Sequence, residues 1–176
     1  MIDSSHLVLT PNAQDQVGSA WVTTPLTVND DSAFSVSFKF RISGSGVNGD
    51  GMAFVMHGGN ASARGSNGSG LGYYGIGSSL LAVEFDTFHF DVDETESPHV
   101  AIQLQDSDLY IHPTERVASY SSLANTDLFA WIDFDPVTKN LSVFLDEANV
   151  KPSVSLLYYT LPSGLHTLIT PEFLFE

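Results

Sequence analysis

The sequence contains no cysteine, few basic residues and no long apolar run. Without cysteine the fold uses no disulfide, which leaves the compartment open because a core of this size needs no covalent cross-link. Six Lys and Arg side chains against 21 Asp and Glu give a formal net charge of −15. That charge disfavours nucleic acid and anionic membrane surfaces as partners. No stretch approaches the ~20 apolar residues that a membrane span needs.

Length and composition indicate one folded domain spanning residues 1–176. Hydrophobic residues make up 43% of the chain, too many for a disordered protein. The 12 Phe and 6 Tyr residues, among many Gly, Ser and Thr, are typical of an all-β protein. Met1 begins no signal-peptide pattern, so we expect any targeting segment to lie outside this sequence or to have been removed.

Strand patterns dominate the chain. In FSVSFKFRI (34–42) apolar and polar residues alternate, and MAFVM (52–56) is a continuous apolar run typical of a strand covered on both faces. The Gly/Ser-rich stretch 58–72 predicts a long loop. Further strands are predicted at 81–88, 100–105, 128–134 and 141–146, the last two joined into a hairpin by DPVTKN. With no convincing amphipathic helix, these strands predict an antiparallel β-sandwich or barrel.

The stretch AVEFDTFHFDVDETESPHVAI (82–102) is crowded with acidic residues and includes two histidines. Like charges this close repel one another, so packing alone would not select them. Alternate strand residues face the same side, which puts Glu84, Asp86 and Phe88 on one face. His99 opens the next strand on the face opposite Val100. Carboxylate and carbonyl oxygens suit Ca²⁺, whereas carboxylates with one imidazole suit Mn²⁺ or another transition metal.

Three interpretations of this stretch remain open from the residues alone. The acidic side chains ring a cation, perform acid–base chemistry, or line a solvated loop with a surface histidine. Some sandwich glycosidases pair their acids as E-x-D-x-E. Here Phe88 stands where the second working acid should be, so we expect no catalysis.

AVEFDTF followed by PHVAI resembles the metal-binding signature of legume-type (L-type) lectins. Four further regions agree in the family's order: 7–28 with its first hairpin, 34–56 with its central strands and Asp-Gly loop, 68–76 with its glycine-rich loop, and 130–145 with its late hairpin. The resemblance covers nearly the whole chain. It implies a flattened jelly-roll β-sandwich that binds glycans beside a calcium and a transition metal such as manganese. It also implies an extracellular or cell-surface location.

The transition-metal ligands that the resemblance implies are Glu84, Asp86 and His99. Asp86 also matches the ligand that bridges to calcium. Phe88 matches the residue that gives its backbone carbonyl to calcium.

The calcium half of the site departs from the family pattern. The family usually has asparagine four residues after the bridging aspartate, and here that residue is Phe90. Asp91 replaces it if the loop is one residue longer, although an ionised carboxylate cannot donate to a sugar hydroxyl. Glu94 occupies the position of the later bridging carboxylate, and Asp93, one residue earlier, is the alternative that charge geometry favours.

The sugar-binding residues implied by the resemblance lie in three loops. Asp50 matches an aspartate whose carboxylate accepts hydrogen bonds from two sugar hydroxyls, although alone it reads as an ordinary Asp-Gly turn residue. The ring of Phe88 would pack against the apolar face of a pyranose, with Asp91 beside it. Backbone N–H groups would come from Gly70, Leu71 and Gly72, since glycine permits close approach.

Two functional hypotheses follow from these residues. The first is a metal-dependent lectin without catalysis, favoured by Asp50 and the glycine-rich loop. The alternative is a structural or adhesin module that keeps a metal site but has lost sugar binding, favoured by Phe90. The family continues beyond PEFLFE (171–176) with further strands. We therefore expect a truncation, a strand supplied by another chain, or a shorter sandwich, and a homo-oligomer stays open.

Overall fold

The computed structural model describes residues 6–22, 24–29, 31–44, 49–77, 79–88, 98–106, 109–110, 117–121 and 123–162. These residues form the strands β1 Phe34–Phe40, β2 Gly51–His57, β3 Ser79–Asp86, β4 His99–Asp106, β5 Leu109–Tyr110, β6 Val117–Ser119, β7 Leu128–Asp135, β8 Asn140–Asp146 and β9 Leu157–Thr160. A 3₁₀ turn spans Gly68–Gly70, and the described residues contain no α-helix. They also include no helix long and apolar enough to cross a membrane.

The strands predicted from apolar patterning are confirmed, with boundaries that move by a few residues. The strand predicted at 34–42 ends at Phe40, and the one predicted at 81–88 runs from Ser79 to Asp86. The β7–β8 hairpin also forms as predicted. The hairpin implied for residues 7–28 is not seen in its described part, where only an isolated bridge at Leu7 occurs.

Two antiparallel sheets make up the fold. One has the order β1-β7-β8-β9, and the other has the order β2-β3-β4-β5 with β6 also paired to β4. Opposite residues in a ladder face the same side, so the registers fix which side chains point between the sheets. In the five-stranded sheet Val83 is paired with Phe54 on one side and Ile102 on the other, and all three belong to the core.

The main core fills the space between the two sheets. Phe85 is fully buried, with its ring 4.7 Å from that of Phe40 and 6.1 Å from that of Phe38, measured between centroids. Burying one such side chain contributes roughly 1.5–3 kcal/mol. The alternating apolar residues of β1, β7 and β8 supply the opposing surface, which is why the sequence pattern has period two.

The outer face of the five-stranded sheet, which points away from the main core, carries Ala53, Val55, Leu80, Ala82, Glu84, Asp86, His99, Ala101 and Gln103. A second, smaller apolar cluster forms there, because Leu71, Tyr73 and Ile76 pack against the sheet. As a result β3 is buried on both faces from Leu80 to Asp86. Coverage on both faces was predicted for 52–56 instead, but β2 is only half-buried along its length.

Candidate functional site

Three polar side chains lie buried on the outer face at the end of β3 and the start of β4. Asp86 is paired directly with His99, and Glu84 lies two residues earlier on the same face. Their exposed fractions are 6% for Glu84, 6% for Asp86 and 4% for His99. Buried polar side chains normally have hydrogen-bond partners. The partners of these three side chains therefore determine whether they can also bind a cation.

Both oxygens of the Glu84 carboxylate accept hydrogen bonds from the chain. The Tyr73 hydroxyl donates to Oε1, and Gln103 Nε2 donates to Oε2 at 2.9 Å. These two donors, one on each oxygen, fix the orientation of the carboxylate.

Asp86 is held by the chain that follows it. The backbone N–H of Phe88 donates to Asp86 Oδ1 at 2.7 Å. This contact holds the chain as β3 ends, and Phe88 is half-buried. Because β3 ends at Asp86, the shared face of Phe88 and the two carboxylates stays a prediction.

His99 carries the polar atom that the described chain leaves without a partner. Its Nδ1 is buried and forms no hydrogen bond with the described residues. A buried polar atom without a partner is costly, and binding to a metal ion would remove that cost. The position of His99 opposite Asp86 fits a cation site, because one imidazole with carboxylates is a donor set for transition metals.

The predicted ligand set is not assembled as a cluster in the described residues. Among them, no three carboxylate or imidazole side chains lie close enough together to hold a metal ion. Within the predicted trio, Glu84 is engaged by Tyr73 and Gln103, and Asp86 by the Phe88 backbone. Of the other predicted ligands, Asp91, Asp93 and Glu94 lie outside the described residues, as does Phe90. The ligand roles therefore remain predictions.

The Asp50 loop is tied to the end of β3. Gly51 is paired with Asp86, and the Thr87 N–H donates to the Asp50 carbonyl at 2.9 Å. The Thr87 hydroxyl donates to the Gly49 carbonyl at 2.5 Å. Asp50 itself is half-buried. These bonds bring the predicted sugar acceptor beside the strand end that carries Asp86 and leads into Phe88.

Glycine is required at position 51 of this loop. Its φ is +145°, and a Cβ atom there would stand 2.3 Å from the Phe85 carbonyl oxygen. Few side chains tolerate such a φ, and none tolerates such a contact. At Gly49 a Cβ atom would meet nothing within 4 Å. The Gly-Asp-Gly sequence therefore contains one glycine needed for close approach and one that is not.

The predicted N–H donors of the glycine-rich loop already donate within the loop. The N–H of Gly70 donates to the Asn67 carbonyl at 3.3 Å, that of Leu71 to Gly68 at 3.0 Å, and that of Gly72 to Ser66 at 2.9 Å. Leu71 and Gly72 have positive φ values of 45° and 76°. A sugar would have to share these donors, so their role in binding stays a prediction.

Sequence reasoning missed three polar residues that support the site. Gln103 could have been found by alternation, since it shares a face with His99 four residues earlier. The hydroxyl of Thr87 donates to carbonyls 38 and 37 residues earlier in the sequence, and that of Tyr73 donates to Glu84, 11 residues later. No local sequence pattern encodes such contacts. Tyr73 lies in the segment GSGLGYYGI, but nothing in that segment specifies Glu84 as its partner.

Comparison with known proteins decides the family. The family model described as legume lectin domain matches residues 1–174. The chain is a member of the legume lectin family. This legume lectin domain is 30% identical over 136 residues to the L-type lectin-domain containing receptor kinase VIII.1 of Arabidopsis thaliana. That match covers 73% of the chain and 19% of the relative, so the chain spans about a fifth of the kinase's length.

Solved structures agree with the sandwich described above. Lectin I-B4 from Griffonia simplicifolia, in its metal-free form, matches with a TM-score of 0.65 at 20% identity, covering 93% of this legume lectin domain and 75% of that chain. Basic winged bean lectin with Tn-antigen matches with a TM-score of 0.55 at 26% identity, covering 80% and 56%. The flattened jelly-roll β-sandwich expected from the sequence, which is the concanavalin-like fold of these lectins, is confirmed.

Proposed function

We propose that this domain binds carbohydrate in a cation-dependent manner and catalyses no reaction. The observation that carries the proposal is the attachment of the Asp50 loop to Thr87, through which the predicted sugar acceptor and the predicted cation ligands share one strand end. Membership of the legume lectin family supports it. The winged bean relative, which was solved with Tn-antigen, is consistent with it.

Sugar recognition would rest on groups that the fold holds in advance. The Asp50 carboxylate would accept hydrogen bonds from sugar hydroxyls, and the half-buried Phe88 ring would pack against the apolar face of the pyranose. Because the Thr87 bonds already order the Asp50 loop, docking would cost little further ordering. Neutral sugars offer modest net hydrogen-bond energy, so single-site binding should be weak and gain from multivalency.

The cation site would be built from Glu84, Asp86 and His99, with the Phe88 carbonyl and the carboxylates that follow it in sequence completing a calcium position. The unpartnered Nδ1 of His99 and the buried carboxylates on the same face support this choice. Bound Ca²⁺ and Mn²⁺ would supply fixed positive charge that orders the surrounding loop. Asp91 and either Asp93 or Glu94 remain the proposed loop ligands.

The setting that we propose is extracellular or at the cell surface, with glycans or glycoconjugates as partners. The receptor kinase relative supports this setting, since its lectin domain is part of a receptor. The net charge of −15 argues against nucleic acid and anionic membranes as partners. Self-association is left open as a route to multivalency.

A second candidate function is a structural or adhesin module of the lectin fold without sugar binding. One observation favours it: the N–H groups of Gly70, Leu71 and Gly72 already have acceptors inside their loop. Loss of the usual asparagine to Phe90 agrees with it. Such a module would keep its cations and its thermal stability but give no signal with any glycan.

Substitution of Asp50 tests the position of the sugar site. Asp50→Ala removes a charged acceptor, which costs roughly 1.5–3 kcal/mol per hydrogen bond, so losing two bonds would weaken glycan binding by more than about 100-fold. Asp31→Ala, a change to an exposed aspartate, is the matched control and should bind as wild type does. Cation content and melting temperature should stay nearly constant in both. Equal glycan binding by wild type and Asp50→Ala would mean that the sugar binds elsewhere.

Hydrolysis assays test the absence of catalysis. We expect no turnover of glucans or galactans, because Phe88 stands where a second acid would be needed. Turnover that disappears in Glu84→Gln would establish an enzyme instead.

A further inference from the structure

The glycine-rich loop, residues 65–76, forms one tightly bonded unit. The Gly65 N–H donates to the Gly72 carbonyl at 2.8 Å, and the Ser66 N–H donates to the Tyr74 carbonyl at 2.9 Å. Close packing within the loop excludes a side chain at Gly65, where a Cβ atom would lie 2.4 Å from the Tyr74 carbonyl oxygen. At Gly70 a Cβ atom would lie 2.1 Å from Ser66 Oγ, so the Ser66 side chain would have to move. A displacement at one point of this loop should therefore move the whole of it.

Tyr73 joins this loop to the outer face of the sheet. Its N–H donates to the Gly70 carbonyl at 3.0 Å, so its backbone belongs to the turn that contains the predicted sugar donors. Tyr73 is buried, with an exposed fraction of 6%, and packs with Leu80 and Ala82. Its hydroxyl donates to Glu84 Oε1. One side chain thus connects the loop to a proposed cation ligand.

The contact from Tyr73 bears directly on how Glu84 can bind a cation. Gln103 bonds to Oε2 at 2.9 Å and Tyr73 to Oε1, so the plane of the carboxylate is fixed from both ends. Groups that hydrogen-bond to a metal-binding side chain hold it in one orientation before the metal binds, and this raises the affinity for the metal. Removing one orienting donor should therefore weaken cation binding without removing a ligand.

We propose that Tyr73 is a positioning residue that couples cation binding at Glu84 to order in the glycine-rich loop. This inference rests on the proposed cation-dependent function. Coupling between two sites is reciprocal: a cation that fixes Glu84 strengthens the hold on Tyr73, and an ordered loop presents Glu84 ready for the cation. The loop that would face the sugar is thereby made sensitive to the cation without touching it.

Tyr73→Phe removes the hydroxyl and keeps the buried ring. We expect the affinity for Mn²⁺, measured by calorimetry on the whole chain, to fall about 10–100-fold. Tyr74→Phe is the matched control, because it makes the same change at the next residue, whose side chain is 43% exposed. Its Mn²⁺ affinity should stay within about twofold of wild type. A purely structural role for Tyr73 would lower the melting temperature of cation-free protein but leave the Mn²⁺ affinity unchanged.

Hydrogen exchange of the loop amides, measured with and without Mn²⁺, tests the coupling in the wild-type protein itself. Adding Mn²⁺ should slow exchange at residues 70–74 of the wild-type protein and should have little effect on those amides in Tyr73→Phe. Exchange at β8, which lies in the other sheet, serves as the internal reference. Wild-type loop amides that exchange equally fast with and without bound Mn²⁺ overturn the inference.

The outcomes separate this inference from the proposed function. If wild type binds Mn²⁺ and glycan but Tyr73→Phe keeps the same Mn²⁺ affinity, the inference is wrong and the proposed function stands. If wild type takes up no divalent cation, both are wrong. If Mn²⁺ affinity and loop protection fall together in Tyr73→Phe while Tyr74→Phe matches wild type, the coupling is established.

Discussion

Asp86 and His99 stand directly opposite each other on β3 and β4, and both side chains are buried on the outer face of the five-stranded sheet. Across an antiparallel ladder, opposite Cβ atoms lie about 4.5–5.5 Å apart, a spacing at which a carboxylate and an imidazole can share one cation. Asp86 has a backbone donor, whereas Nδ1 of His99 has no partner among the described residues. In the proposed site the cation would bind this nitrogen of His99 together with the Asp86 carboxylate.

His99→Leu should have opposite effects on affinity and on stability. Removing an imidazole ligand should weaken Mn²⁺ binding by more than about 100-fold, since even groups that only orient a ligand contribute 10–100-fold. In the cation-free protein the same change removes a buried unpartnered nitrogen, so the melting temperature should stay constant or rise. Calorimetry and thermal melts with and without Mn²⁺ measure the two effects.

The exposed His6 supplies the control for this experiment. His6→Leu should leave Mn²⁺ affinity unchanged. A His99→Leu variant that keeps wild-type affinity would remove His99 from the cation site.

Two glycines that flank Asp50 should respond differently to alanine. Gly51→Ala puts a Cβ atom against the Phe85 carbonyl at a φ of +145°, so it should destabilise the fold by about 1–3 kcal/mol or more. Because the backbone must shift, glycan binding should fall as well. Gly49→Ala meets nothing within 4 Å and should change the unfolding free energy by less than about 0.5 kcal/mol. Urea denaturation of the pair checks this, and equal losses would contradict the local geometry.

His57 should make stability depend on pH. Burial lowers the pKa of His57 below its usual value, and its Nδ1 accepts the Gly59 N–H at 3.0 Å beside the Trp21 ring. Since the folded pKa lies below the unfolded value of about 6.5, the unfolded chain binds more protons as pH falls. The stabilisation is therefore complete above about pH 6.5 and is lost as pH falls through the folded pKa.

His57→Asn tests this dependence because its amide oxygen replaces the acceptor and does not titrate in this range. Between about pH 7.5 and 5.5 the melting temperature of wild type should fall more steeply than that of His57→Asn. Carboxylate titration contributes equally to both curves. Parallel curves would show that protonation of His57 does not affect stability.

Much of the fold could be predicted because strand alternation records which face is buried. In β3, for example, Val83 and Phe85 alternate with Glu84 and Asp86. The structure places the apolar pair in the core between the sheets and the acidic pair on the outer face, as the alternation predicts. Long-range pairing is different. Ser35 donates to Asp133 at 2.7 Å across 98 residues, and nothing local specifies that β1 should pair with β7.

The candidate site was predictable to the same extent. Residues on strands, such as His99, could be assigned a face, and the register then placed His99 opposite Asp86. Residues that support the site from loops, such as Tyr73, could not be identified, because a side-chain contact between a loop and a strand depends on how the loop folds back. Asp91, Asp93 and Glu94 lie outside the described residues, so their roles stay predictions.

The dependence of carbohydrate binding on a divalent cation can be measured on a glycan array. The wild-type chain is applied to a broad glycan array in Ca²⁺ and Mn²⁺, and again after chelation and removal of the cations. We expect a selective glycan signal with cations, its loss after chelation, and its return when the cations are added back. A signal that persists unchanged in the chelated protein would contradict cation dependence, and no signal on any glycan with cations present would contradict carbohydrate binding and leave the structural module as the function.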